Sequence, residues 1–277
     1  MSGHKIPLAG VIGSPIAHSR SPQLHGHWLT TNNLPGFYIP MDVSPEDLES
    51  VLRSLPRAGF VGVNVTIPHK EQVLELADVA TDRARRIGAA NTLTFLPDGK
   101  IEADNTDGYG FLNNLQAGAP AWEPTSGPAV VLGAGGAARA VIVALLDAGV
   151  PEIRLSNRTI ARAEQLRRDF GEKVVVHPWE NISQSFPDAG LLVNTTSLGM
   201  VGKPPLELSL QTLSRQTVVT DLVYTPLQTE LLRQAAAVGC TAVDGLGMLL
   251  HQGAPGFTRW FGTEPVVDDE LRRAVLG

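Results

Sequence analysis

Ala129-Val130-Val131-Leu132-Gly133-Ala134-Gly135-Gly136-Ala137-Ala138 decides the fold. Its first four residues are a short, valine-rich apolar run bounded by Pro128 and Gly133, the pattern of a parallel strand buried on both faces. Gly133, Gly135 and Ala138 then fit the G-x-G-x-x-G/A turn. Gly133 permits the tight turn, Gly135 lets a pyrophosphate approach the backbone, and Ala138 is small enough to pack a helix closely on the strand. A helix opening at this turn aims free N–H groups and its positive dipole end at phosphates. The spacing predicts that Ala137, Val141, Ala144, Leu145 and Ala148 share its buried side, with Gly149 and Pro151 ending it. Ile153-Arg154-Leu155-Ser156 follows as a second strand at the expected distance, so the stretch reads as a dinucleotide-binding βαβ unit.

The tip of that second strand bears on which dinucleotide. An NAD site usually carries Asp or Glu there, to accept from the ribose 2′-OH. This chain has Asn157-Arg158-Thr159, with Arg162 one turn on. A guanidinium cannot accept that bond, but it can clamp a 2′-phosphate and stack on an adenine. The residues therefore favour NADP over NAD. The plainer alternative makes Arg158 and Arg162 solvated helix-start residues and Thr159 an N-cap.

Working outward, 277 residues at 43% hydrophobic content suit one large or two modest domains. The net charge of −6, without a lysine- or arginine-rich block, speaks against nucleic acid or an anionic membrane as partner. Cys240 is the only cysteine, which leaves no disulfide framework and no cysteine metal site. The seven histidines lack metal-ligand spacing, so no metal is expected. The start Met-Ser-Gly-His-Lys-Ile-Pro lacks a signal-peptide core and no apolar run approaches membrane-spanning length, which makes the cytoplasm the expected location.

Upstream, 8–12 reads as a first strand. Ser21-Pro22 follows as an N-cap with proline at N1, while Ser19 has no such local duty. Two hydroxyls beside a helix start also suit a polyol or a carboxylate. Residues 37–41 and 62–65 read as further strands. Ser44 caps a helix burying Leu48, Val51, Leu52 and Leu55, and Val73, Leu76, Ala77 and Ala80 mark another helix. Alternating strands and helices imply a parallel α/β sheet. Lys70 sits just past a strand's carboxyl end, where open α/β sheets hold ligands, although a solvated lysine is common there. Pro97-Asp98-Gly99 joins a hairpin, and Asp107 then stands at a helix start, where it could be an ordinary cap. Beyond Arg162, runs at 174–176, 191–194, 218–223 and 241–243 continue the nucleotide-binding pattern, with helices at 229–237, 248–259 and 268–275.

Several of these stretches together resemble the shikimate dehydrogenase family over nearly the whole chain. They are Ser19-Arg20-Ser21-Pro22, Asn64-Val65-Thr66-Ile67-Pro68-His69-Lys70, Gly88-Ala89-Ala90-Asn91-Thr92 and Asn105-Thr106-Asp107-Gly108, then the glycine turn, Asn157-Arg158-Thr159, Asn194-Thr195-Thr196, Asp221-Leu222-Val223-Tyr224, Gly245-Leu246-Gly247-Met248-Leu249 and Gln252. The resemblance implies two α/β domains around a cleft. Residues 1–106 with 244–277 would form a substrate domain on an open, mostly parallel sheet, and 107–243 a Rossmann-type NADP domain. The crossings would fall at 104–108 and 243–247. The implied reaction is the reversible NADPH-dependent reduction of 3-dehydroshikimate to shikimate, a step of aromatic amino-acid biosynthesis.

Carried over residue by residue, the resemblance gives Ser19, Ser21, Thr66, Asn91, Tyr224 and Gln252 to the substrate, the two serines to its carboxylate. Lys70 and Asp107 become the catalytic pair, Asp107 touching substrate as well. Gly133, Ala134, Gly135, Gly136, Ala137, Asn157, Arg158, Thr159, Arg162, Leu222, Gly245 and Met248 would line the cofactor. Asp82 is linked to it less securely, a helix-start acid being the plainer reading. Arg20 and His69 depart from the commoner Lys and Phe without removing a role. The rival readings are a quinate/shikimate dehydrogenase using NAD and a non-catalytic metabolite sensor on the same fold. Intact Lys70 and Asp107 speak against a sensor, and the state of assembly, monomer or homodimer, stays open.

Overall fold

The computed structural model describes residues 6–277, so the expectation for the first five residues lies outside the described chain. Two compact units are present. One comprises the chain up to Thr106 together with Leu250–Gly277, the other Asp107–Leu249. The sequence places the second crossing at 243–247; the unit that starts at Asp107 runs on to Leu249.

The first unit opens with β1 (Leu8–Gly13), α1 (Ser21–Thr31), β2 (Phe37–Asp42), α2 (Leu48–Ser54) and β3 (Phe60–Val65). There follow α3 (Gln72–Leu76), β4 (Val79–Ala80), α4 (Asp82–Ile87), β5 (Thr92–Phe95) and β6 (Ile101–Asp104). The strands form one sheet in the order β2-β1-β3-β5-β6-β4. Only β5 runs against its neighbours, as one arm of the Pro97-Asp98-Gly99 hairpin. Leu48, Leu52 and Leu55 are buried in its core, with Val51 packed partly against it.

Two local expectations are corrected here. Ser21 does not cap α1: Arg20 holds the cap position, no side chain caps the helix, and Ser21 lies buried in its first turn. A helix through Ala80 does not form either. Ala77 turns extended at ψ 141° after Leu76, and the main chain of Asp78 and Thr81 donates to Ile101 and Ala103 of β6. Apolar residues at helical spacing from Val73 to Ala80 thus serve one helix turn and then a short strand.

The second unit holds α5 (Asp107–Gly118), β7 (Ala129–Leu132), α6 (Gly136–Asp147), β8 (Ile153–Ser156), α7 (Ile160–Phe170) and β9 (Val174–Val176). It continues with β10 (Leu191–Asn194), β11 (Val218–Asp221), α8 (Glu230–Val238) and β12 (Thr241–Val243). All pairings are parallel, in the order β12-β11-β10-β7-β8-β9. This is the doubly wound dinucleotide-binding order, reversing between β7 and β10. Along β7, Ala129 and Val131 join the core cluster on one face, while Val130 and Leu132 join that on the other. Helix α6 is buried at every residue from Ala140 to Leu145, more widely than an amphipathic stripe, and Ala137 and Ala148 at its ends are only half-buried.

Helix α9 (Leu246–Phe261) begins in the second unit and ends in the first, and α10 (Asp269–Leu276) closes the chain with Asp268 as its side-chain cap. In the first unit α10 packs beside α1, where Arg20 Nη1 donates to the Val275 carbonyl at 2.8 Å.

Candidate active site

Gly133 leaves β7 at φ +107°, in the left-handed region, and a Cβ there would lie 2.6 Å from Thr195 Oγ1. Only glycine fits. Its N–H donates to the Ser156 carbonyl at 2.8 Å, so the turn bends over the end of β8. Helix α6 starts at Gly136 with Gly135 in the cap position and no side chain capping it. Gly135 and Gly136 are exposed, and a Cβ on either would meet no atom within 4 Å. No contact inside the protein requires glycine at these two positions; open space for a group that must approach the backbone does.

At the tip of β8, Asn157 Nδ2 donates to the Thr159 carbonyl at 2.8 Å and closes the turn. Thr159 stands at the N-cap of α7 without a side-chain capping bond. Arg158 and Arg162 are exposed and make no ion pair among the described residues. Arg139, by contrast, is committed to Asp169 at 2.7 Å and lies over the Phe170 ring. The residues present therefore fit a dinucleotide phosphate at the α6 start and a further phosphate at the β8 tip.

Leu222 and Tyr224 leave the end of β11, both half-buried. A Cβ on Gly245 would come within 2.5 Å of the Leu222 carbonyl oxygen, so these two backbones touch. Met248 lies half-buried in the first turn of α9. Asp82 belongs to the first unit, where it starts α4 almost fully exposed and pairs with Arg85 at 3.2 Å.

In the first unit the substrate candidates gather around β3, β5 and α9. Thr66 and Lys70 lie half-buried on the turn after β3, and the Lys70 carbonyl accepts from Ala90 N–H at 2.8 Å, beside Asn91. His69, between them, is fully buried, and its Nε2 donates to the Val43 carbonyl at 2.8 Å. Asn91 Nδ2 donates to Gln252 Oε1 at 3.1 Å. The Asn91 Oδ1 is occupied by donors, the Thr106 N–H at 2.8 Å and the Thr92 hydroxyl at 2.9 Å. Its amide is thereby fixed with nitrogen toward Gln252. Ser19 accepts from Ser21 N–H, which joins the two serines. Asp107 is buried in the first turn of α5 and belongs to the second unit, whereas Lys70 belongs to the first.

Sequence reasoning gave no role to the buried polar residues behind these groups. Tyr38 donates to Asn64 Oδ1 at 2.7 Å, and Asn64 Nδ2 reaches Asn91 O and Thr92 Oγ1, each at 3.2 Å. In the second unit Asn194 and Asp221 form a similar buried pair at 2.9 Å. The signal was an Asn or Asp in a mainly apolar strand: Asn64 within β3, Asn194 ending β10 and Asp221 ending β11. Among the described residues no group of three or more His, Cys, Asp or Glu could hold a metal ion, and no helix is long and apolar enough to cross a membrane.

Comparison with known proteins matches three family models. The shikimate dehydrogenase substrate binding domain matches residues 11–93, shikimate / quinate 5-dehydrogenase 123–222, and the shikimate 5′-dehydrogenase C-terminal domain 245–269. An NADP(+) shikimate dehydrogenase of Roseobacter denitrificans is 68% identical over 277 residues, all of both chains. Among solved structures, the Thermus thermophilus shikimate 5-dehydrogenase in complex with NADP(H) and shikimate superposes with a TM-score of 0.86 at 40% identity, covering 97% of this chain and 98% of that one. The Corynebacterium glutamicum quinate dehydrogenase in complex with NAD gives 0.90 at 32% identity, with the same coverage of both chains.

Proposed function

The chain belongs to the shikimate dehydrogenase family, and from that premise we propose that it serves aromatic amino-acid biosynthesis through the site residues placed above. It is an NADP-dependent oxidoreductase acting on a CH–OH group, which interconverts 3-dehydroshikimate and shikimate. The observation that carries this is 68% identity, over the full length of both chains, to an NADP(+) shikimate dehydrogenase.

Gly133, Ala134, Gly135, Gly136 and Ala137 would hold the pyrophosphate, with Asn157, Arg158, Thr159 and Arg162 at the 2′-phosphate end and Leu222, Gly245 and Met248 farther along. When bound, the nicotinamide supplies or takes up the hydride. Ser19 and Ser21 bind the substrate carboxylate, while Thr66, Asn91, Tyr224 and Gln252 take its hydroxyls and ring. A carbonyl oxygen that becomes an alcohol gathers negative charge and needs a proton. Lys70 supplies both a cation and a proton, and Asp107 orients that ammonium and accepts from a substrate hydroxyl. Asp82 serves its own helix start, and its part in cofactor binding is the weakest of these assignments. A cytoplasmic place of work fits the single cysteine, buried and unpaired. Assembly as monomer or homodimer is compatible with this scheme.

The test mixes enzyme, shikimate and NADP and follows the nicotinamide absorbance band, then repeats the assay with quinate and with NAD. Reduction of NADP by shikimate is expected to be the fastest of the four combinations. Faster turnover with quinate and NAD would favour the quinate reading, and no turnover in any combination would favour a sensor.

A further inference from the structure

Asp221 ends β11 with a carboxyl group 1% exposed and no ion pair among the described residues. Three donors converge on it. Oδ1 accepts from Asn194 Nδ2 at 2.9 Å and from Val223 N–H at 3.0 Å, and Oδ2 accepts from the Thr229 hydroxyl at 2.7 Å. Burial pushes this carboxyl's pKa up, and the three hydrogen bonds pull against that. The Asn194 amide and the Val223 N–H can only donate, so Oδ1 is held as an acceptor from two sides while Oδ2 meets the Thr229 hydroxyl. A buried carboxylate without a cation is a poor means of stabilising a fold. What it grips is more informative.

Val223 N–H lies between Leu222 and Tyr224, the residues read here as cofactor and substrate contacts. Asn194 ends the neighbouring strand at the switch point. Its carbonyl accepts from Leu222 N–H at 3.0 Å, and its Oδ1 accepts from the N–H of Thr196 at 3.0 Å and the Thr196 hydroxyl at 2.7 Å. Thr229 is the side-chain cap of α8. On the other side the segment meets Gly245, where a Cβ would fall 2.6 Å from the Asp221 carbonyl oxygen. One side chain thus ties together the ends of two strands, the start of a helix and the turn carrying Leu222 and Tyr224.

We propose that Asp221 is a positioning residue for both ligands: by holding Val223 N–H and the Asn194 amide, its carboxylate presents Leu222 to NADP and Tyr224 to shikimate. This rests on the assignments of Leu222 and Tyr224 made above. Asp221→Ala removes all three acceptors. Asp221→Asn keeps an oxygen for Asn194 and Val223 and turns its amide toward Thr229, whose hydroxyl can accept.

The experiment measures kcat, KM for NADP, KM for shikimate and Tm for both variants, alone and with Tyr224→Phe. Asp221→Ala is expected to raise both KM values about tenfold, a typical consequence of losing buried hydrogen bonds that hold a binding group. Asp221→Asn should return both to within about threefold of the parent. In the Tyr224→Phe background the shikimate increase should shrink to about twofold or less, while the NADP increase persists, since coupled residues are not additive. A merely structural role would lower Tm and active fraction with both KM values unchanged, or raise the shikimate KM equally in both backgrounds; either result overturns the proposal. Tyr224→Phe with an unchanged shikimate KM would remove Tyr224 from the substrate site and the two-ligand proposal with it. Should Asp221→Ala not fold, Asp221→Thr, similar in volume with at most one acceptor, replaces it with the same expected KM changes.

Discussion

The Ser19 hydroxyl oxygen accepts a hydrogen bond from the Ser21 main-chain N–H at 3.3 Å, at the first turn of α1. Ser19 therefore does local structural work, and the Ser21 side chain, buried at the helix start, caps nothing. Ser19→Ala is expected to lower stability by about 1 kcal/mol, the usual net worth of an intramolecular hydrogen bond. Ser21→Ala removes no capping bond, so its cost comes only from the buried hydroxyl beside Tyr38 and should not exceed that of Ser19→Ala. Both should raise the KM for shikimate and leave that for NADP unchanged. Urea unfolding and steady-state kinetics on the two variants check this, and a greater stability loss at Ser21 would reverse the assignment.

The second expectation concerns the cofactor. Arg158 is exposed at the tip of β8 beside the closed Asn157 turn, without an ion pair among the described residues. Arg158→Ala should weaken NADP binding by roughly 1.5–3 kcal/mol, the range for a charge-assisted hydrogen bond, and NAD binding far less. Titration calorimetry with each cofactor reads the difference. Equal losses would make Arg158 a solvated helix-start residue.

Much of this was legible from residue order. The valines of β7 alternate between two apolar layers, so a run without polar alternation correctly signalled a strand covered on both faces. The glycine turn was legible because Gly133 needs a positive φ and Gly135 faces open space. What escaped were features decided by which partner a group meets once the chain has folded. Ala80 fits a helical stripe until β6, some twenty residues later, captures its flanking backbone. Ser21-Pro22 has the composition of a capped helix start, yet the hydroxyl that accepts a helix-start N–H is that of Ser19, two residues upstream. Asp221 ends an apolar strand with a charge, and nothing local says that Asn194, Val223 and Thr229 will meet it.

His25 gives a third expectation, on pH. It is fully buried and stacked on Tyr38 with ring centroids 3.9 Å apart, and among the described residues neither ring nitrogen has a partner at hydrogen-bond geometry, Asn64 being near enough only to offset part of the burial effect. Burial lowers its pKa to about 3 from the model-peptide value of 6.5. Between those values the unfolded chain binds a proton that the folded chain does not. Stability is therefore lost as pH falls below about 6.5, amounting to about 2 kcal/mol from this group by pH 5. His25→Phe keeps a flat ring against Tyr38 and removes the titration. Urea unfolding at about pH 7.5 and about pH 5 should show the variant less acid-sensitive than the parent by that amount. Equal acid sensitivity would mean that the folded protein protonates His25 readily.

The last expectation is that Lys70 and Asp107 act as one unit in proton transfer. Lys70 follows the carboxyl end of β3, where its carbonyl is pinned by Ala90 N–H beside Asn91, and Asp107 is buried at the start of α5. Lys70→Met keeps the length and apolar stem of the side chain but removes its charge and proton. Turnover should fall by roughly 10²–10⁴-fold while the KM for shikimate changes much less. Asp107→Asn should slow turnover and also raise the KM for shikimate, because the same carboxylate is assigned a substrate hydroxyl. The double variant should be no slower than the poorer single one, since groups that serve a single step lose their effect together. Near-normal turnover in Lys70→Met would remove Lys70 from the chemistry. Full multiplication of the two losses would keep Lys70 there and detach Asp107 from it.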